Sequence, residues 1–243
     1  MNDSTTAVSN EEFIAHAFAG CSNDETPWVA GFGGDMTDAG HAVWFGSSAL
    51  PLPRFIQPRH NNYVATSTFK QAADGQFRRR NECWAGLWSA LHDDLGTKIS
   101  FDKLRLEPSC LIETSPGNFH GWLFLITPER NQQRAEALIN GIIAAGANDP
   151  GAGNITRYGR LPVGINGKAK YADKGGNPWV QRVHVWQPER RYSVEEVADA
   201  YRIDLAAATR PKARRTAPRG AQTGSGYVEI LDAAGLYLEA MRG

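Results

Sequence analysis

A chain of 243 residues with 42% hydrophobic and 21% charged side chains carries enough apolar material for a full core. Its 26 basic and 26 acidic side chains cancel, which excludes a protein held to nucleic acid by net positive charge; any such surface needs local segregation. Three cysteines, Cys21, Cys83 and Cys110, form no CxxC pair, so a disulfide framework and a structural zinc site are excluded and a reduced, cytoplasmic setting is expected. No apolar run is long enough to cross a bilayer, and the polar N-terminus lacks signal-peptide form.

In chain order, Ser9-Asn10-Glu11-Glu12 has the form of a capping box and predicts a helix with Phe13, Ile14, Ala17 and Phe18 on its apolar face. Residues 20–40, rich in Gly, Asp and Asn, read as loop. A short strand is expected at 42–45, a break at Pro51, Pro53 and Pro58, and a second strand at 63–69. Residues 78–87 read as helical and lead into an apolar run from Leu87 to Asp94 that stops at Gly96.

Strands are then expected at 109–114 and 120–126, joined by a Ser-Pro-Gly-Asn turn. Ala135, Leu138, Ile139, Ile142 and Ile143 mark the clearest helix, over 129–145. Val180, Val183 and Val185 mark a late strand, and Ser193-Val194-Glu195-Glu196 caps a helix to about Tyr201. Beyond it the composition shifts to Ala, Arg, Pro, Gly and Ser, a linker, followed by an amphipathic helix over 228–241. Strands mixed with helices, some adjacent through tight turns, predict an α/β or α+β core.

Three segments carry candidate chemistry. Asp93 and Asp94 are adjacent carboxylates that repel unless solvated or bound to a hard cation such as Mg²⁺ or Mn²⁺. Successive strand residues face opposite ways, so both serve one site only if the strand ends or bulges there. The Ser115-to-His120 segment offers a hydroxyl, turn amides and an imidazole to a phosphate. Arg157, Arg160 and Lys168 bracket a turn and offer cations to the same group. Taken singly, each segment also suits an ordinary turn, hairpin or basic loop. A basic cluster at Arg78, Arg79 and Arg80, and another at 210–215 with Arg219, suit a nucleic-acid surface or a solvated loop. Trp84, Trp88 and Trp122 are candidate stacking surfaces or core residues.

Taken together and in order, Asp93-Asp94-Leu95-Gly96-Thr97-Lys98, Glu113-Thr114-Ser115-Pro116-Gly117-Asn118-Phe119-His120-Gly121-Trp122 and the 157–168 segment resemble the RepB-like plasmid and phage primases. These belong to the archaeo-eukaryotic primase, or primase-polymerase, superfamily. The resemblance covers about residues 40–190. It implies an α+β fold with an RRM-like mixed sheet and C-terminal helices, divided as a catalytic domain over 1–190 and a helical extension with a basic linker over 191–243.

It further implies template-directed primer synthesis on single-stranded DNA from nucleoside triphosphates, with a replicative helicase as a possible partner. Catalytic roles fall to Asp93, Asp94 and His120, and nucleotide contacts to Ser115, His120, Arg160 and Lys168. Arg78, Arg79, Arg80 and Arg157 fall to nucleic acid. The superfamily's third metal-binding acid is replaced here by Asn154, which leaves Asp149, or less directly Glu113, to join Asp93 and Asp94. A primase-like module with a weakened site, acting in DNA binding or helicase docking, is the alternative.

Overall fold

Ser9 caps the first helix as its spacing predicts: its hydroxyl accepts the Glu12 amide at 3.0 Å, and α1 runs Asn10–Ala17. The computed structural model describes residues 7–35 and 46–209. The strand expected at 42–45, the basic cluster at 210–215 and the helix expected at 228–241 lie outside the described residues. None of the helices described is long and apolar enough to cross a membrane.

After α1 the chain forms β1 (Glu25–Phe32), β2 (Gly46–Ser48), β3 (Asn61–Lys70), β4 (Trp84–Leu95), β5 (Cys110–Ser115), β6 (Asn118–Glu129) and α2 (Gln132–Ala144). It continues as β7 (Tyr158–Arg160), β8 (Ile165–Asn166), β9 (Trp179–Val180), β10 (Arg182–Trp186), β11 (Arg191–Tyr192), α3 (Val194–Tyr201) and α4 (Leu205–Thr209). The main sheet runs β10-β5-β6-β4-β3-β1-β2 with antiparallel neighbours. A parallel pairing of β11 with β6 makes it mixed, and β8 and β9 form a separate ribbon. The architecture is the α+β mixed sheet expected.

Two expectations need correction. The segment read as loop contains β1, whose Val29 and Ala30 are fully buried; its Gly- and Asp-rich flanks masked a short strand. The segment read as helical has only one tight turn at Asn81–Cys83 before β4 begins. Trp84, Leu87, Trp88 and Leu91 recur at a helical spacing, but in β4 they divide between the two faces, Trp84 and Leu87 entering one core and Trp88 and Leu91 the other, because the strand is buried on both sides. All three candidate stacking tryptophans are buried. The Trp84 and Trp88 indoles donate to Ser67 and Thr68 hydroxyls at 3.0 Å, and Trp122 is fully enclosed.

Both faces of the sheet are covered. Leu123 and Leu125 of β6 pack with Phe69 and Leu87 under α2 and α3. Trp122 and Phe124 point the other way, onto Phe13 of α1. The helix at Ser193 has the full reciprocal capping box, and Val197, Ala198 and Tyr201 seat it in the core. Leu205 of α4, within the segment expected as linker, is buried there too. The compact unit that holds the sheet extends through Thr209.

One topological detail positions the site. A single edge of β3 is shared: its Ser67–Phe69 end pairs with β4, while Tyr63–Ala65 pairs with β7. The far end of β4 therefore splays from β3, and β7 fills the gap. β7 sits so close to Trp122 that a Cβ on Gly159 would fall 2.1 Å from its ring.

A buried polar clasp fixes the splayed end of β4. His92 lies within hydrogen-bonding distance of the Ala147 carbonyl, at 2.7 Å, and of the Tyr201 hydroxyl, at 3.2 Å. Complete burial pushes its imidazole down to about 4 from the ordinary 6.5. The folded state thus refuses a proton that the unfolded chain accepts, so stability is full above pH 6.5 and falls as pH drops toward 4. The expected loss is on the order of 3 kcal/mol. Urea unfolding at pH 7 and pH 4.5 checks this: His92→Gln should lose markedly less stability between those values than the wild-type chain.

Candidate active site

A cavity of about 570 Å³ opens where β4 splays, within the size range of small-molecule sites. Asp93, Asp94, Ser115, His120, Asp149, Arg157, Arg160, Lys168 and Arg79 all line it. The three separate sequence segments therefore converge. Arg78 and Arg80 lie outside it on the loop after β3, paired with Asp74 and Glu82.

The twin aspartates reach one cavity because the strand bulges at them. Pairing of β4 with β6 shifts between His92 and Leu95, and Asp94 has φ of 60°, a left-handed conformation tolerated by Asp more readily than by bulkier residues. Asn148 holds the bulge. Its side-chain amide donates to the Leu91 carbonyl at 2.8 Å, and its oxygen accepts the Asp93 and Asp149 amides at 2.7 and 2.9 Å.

Each carboxylate has cationic or donor partners. Asp93 Oδ1 faces His120 Nε2 at 3.0 Å and accepts the Asp94 amide, while Oδ2 pairs with the Arg157 guanidinium. Burial would raise the Asp93 carboxyl, but His120 and then Arg157 outweigh it and hold it well below the usual carboxylate range. Asp94 Oδ2 lies 2.6 Å from Lys98 Nζ, and Oδ1 accepts the Asn118 side-chain amide at 3.1 Å. Asp149 Oδ2 lies 2.8 Å from the same Lys98 nitrogen. Hydrogen bonding to Lys98 lowers the Asp149 carboxyl, and Asp149 and Asp94 raise the Lys98 ammonium.

His120 is oriented from both sides. Its Nδ1 accepts the Arg160 backbone amide at 3.1 Å, so the hydrogen-bond network places the ring proton on Nε2, toward Asp93. Arg160 itself is buried. Its guanidinium donates to the Ile165 carbonyl at 2.7 Å and lies 4.7 Å over the Tyr63 ring. It therefore builds the wall of the cavity from within. Lys168, half-buried just after β8, lines the same cavity.

The possible third acids separate clearly. Glu113 turns away from the cavity, accepting the Gly117 amide at 2.9 Å and facing His184 at 3.0 Å. Asn154 lines the cavity, but its oxygen is engaged by the Thr156 amide and hydroxyl at 2.8 and 2.9 Å. Asp149 shares a cation with Asp94. Among the described residues no three His, Cys, Asp or Glu side chains already form a metal cage. Mg²⁺, however, commonly takes one or two carboxylates and completes its shell with water and substrate phosphates. The oxygen-rich pair that already embraces one positive charge fits that habit. Asn118, Asn148 and Lys98 had no role assigned from sequence. Asn118 follows the hairpin glycine and was open to inspection, whereas Asn148 acts across a separation that no local pattern reports.

The fold has counterparts among solved structures. The catalytic domain of primase RepB′ in complex with initiator DNA aligns at a TM-score of 0.51 with 19% identity, covering 84% of this chain and 98% of that one. A second structure of primase RepB′ aligns at 0.50 with 16% identity, covering 96% and 67%. The primase-polymerase domain of cyanophage S-2L aligns at 0.50 with 13% identity, covering 72% and 89%. No curated protein sequence matches.

The fold is that of the archaeo-eukaryotic primase catalytic domain. Residues 55–208 match the RepB DNA-primase N-terminal domain, and the chain belongs to that family, whose members are primases of plasmid and phage replication.

The arrangement separates Asp149 from Asn154 by experiment. Asp149→Asn should lower primer synthesis at least about tenfold, because it removes a charged oxygen from the pair around Lys98. Asn154→Asp should stay within about twofold of wild type, since its side chain remains tied to Thr156. Initial rates at saturating Mn²⁺ check both.

Proposed function

We propose that this domain joins nucleoside triphosphates into primers on single-stranded DNA, with Mg²⁺ or Mn²⁺ held by Asp93, Asp94 and Asp149. One observation carries the reading: Asp94 and Asp149 converge on a single positive charge beside Asp93 and His120, in a cavity of nucleotide size. Bound there, a divalent ion would supply Lewis-acid stabilisation of the reacting phosphate and favour ionisation of the attacking hydroxyl.

The protein's own groups do the remaining work. His120, fixed with its proton on Nε2, donates to a triphosphate oxygen once Asp93 turns to a cation. Ser115, at the start of the hairpin turn, adds a second donor. Lys168 offsets phosphate charge, and buried Arg160 adds a fixed positive field to the cavity. Arg157 keeps Asp93 ionised and oriented. The RepB′ neighbour was solved with initiator DNA, which supports DNA as the ligand at the mouth of the cavity. Arg79 lines the cavity, 4.2 Å over the Tyr158 ring, and Arg78 and Arg80, paired with Asp74 and Glu82, stand beside it on the loop where phosphates would compete for them. Single-stranded DNA binding through such contacts weakens with salt.

The combined variant Asp93→Ala, Asp94→Ala should reduce primer synthesis on single-stranded DNA by about a thousandfold or more. Thermal unfolding of the same variant checks that the fold survives. Synthesis at wild-type rates by a folded double variant would overturn this assignment.

A further inference from the structure

Lys98, which lines the cavity and pairs with two carboxylates, has no part in the scheme above. Its backbone belongs to a tight loop. The Asp94 carbonyl accepts the Thr97, Lys98 and Ile99 amides at 3.3, 3.1 and 3.0 Å, and the Gly96 amide donates to the Ile99 carbonyl at 2.7 Å. The loop is pinned to the neighbouring hairpin: Thr97 donates to Asn118 at 2.8 Å, and a Cβ on Gly96 would fall 2.4 Å from the Gly117 carbonyl oxygen. The Lys98 side chain is nevertheless 67% exposed. A fixed root thus carries an exposed ammonium.

We propose that Lys98 is an exchangeable internal counter-ion. In the metal-free domain its ammonium sits between Asp94 and Asp149. It leaves when a divalent ion binds those carboxylates, and it then pairs with a phosphate oxygen of the incoming triphosphate. This rests on the metal reading of the preceding subsection.

Three physical points lead there. Asp94 and Asp149 repel each other, and an ammonium 2.6 and 2.8 Å from their oxygens holds the two carboxylates about one positive charge. Ion pairs to an exposed ammonium are weak, so a divalent ion displaces it readily. A divalent ion on the same two oxygens repels the ammonium, and the flexible four-carbon stem lets it swing without moving the loop. The nearest new source of negative charge is the triphosphate that the same cavity accepts. Arg157 differs: its partner Asp93 is largely enclosed, and a second arm of its guanidinium is tied to the Gly151 carbonyl.

The test uses the full chain and compares Lys98→Met with Lys98→Arg. Mn²⁺ binding is read from the free-ion electron paramagnetic resonance signal, without nucleotide or DNA. Lys98→Met should bind Mn²⁺ about three- to tenfold more tightly than wild type, and Lys98→Arg should stay within about twofold. With Mn²⁺ saturating, Lys98→Met should bind a non-hydrolysable triphosphate about tenfold more weakly. These opposite shifts distinguish a counter-ion from a loop that has merely been disturbed. Unchanged or weaker Mn²⁺ binding by Lys98→Met overturns the proposal. The combined variant Asp94→Asn, Asp149→Asn, measured alongside, tells the two failures apart: if it loses Mn²⁺, the metal reading stands without the counter-ion, and if it binds as wild type does, both fall.

Discussion

Mutual repulsion among three carboxylates governs this domain. Asp93, Asp94 and Asp149 crowd one end of a strand, and each is held there by a partner of opposite or neutral polarity. Asp93 is enclosed and leans on His120 and Arg157, while Asp94 and Asp149 lean jointly on Lys98. Without those partners the bulge that brings Asp93 and Asp94 to one cavity would face an electrostatic penalty at every carboxylate. The remaining features of the site follow: Asn148 clamps the bulge, and Arg160 fixes the imidazole through its backbone amide. Such a region can accept a strongly charged ligand because its charges are already arranged in opposed pairs.

That arrangement also explains which cations are structural and which face the ligand. Arg160 is enclosed and bonded to a carbonyl, so its charge acts as a permanent field. Lys98 extends from its loop into solvent, and Lys168 is half-buried at the cavity. Charge of one sign is therefore supplied in two forms, one fixed and one adjustable.

Much of this was legible in the primary structure where the signal was local. The adjacent aspartates before Gly96, the Pro-Gly turn leading to His120, and the capping residues Ser9 and Ser193 all act within a few residues of themselves, so short patterns report them. Interactions across long separations escaped. Nothing near Asn148 announces its grip on Leu91 and Asp93, and nothing in the Asp94–Lys98 spacing foretells that Asp149 shares the same ammonium. The helical reading of 78–87 failed for a related reason: β4 is covered on both faces, so its apolar residues run nearly continuously and lose the alternation that marks a strand.

The insertion of β7 beside β3 has a consequence for biosynthesis. The acidic floor of the cleft is encoded before residue 150, whereas its basic wall arrives with Arg157, Arg160 and Lys168. A nascent chain emerging from the ribosome thus displays its acids first, with Gly159 the small keystone that lets the later wall dock on Trp122. The cleft is therefore complete only when the chain beyond residue 150 has joined the sheet.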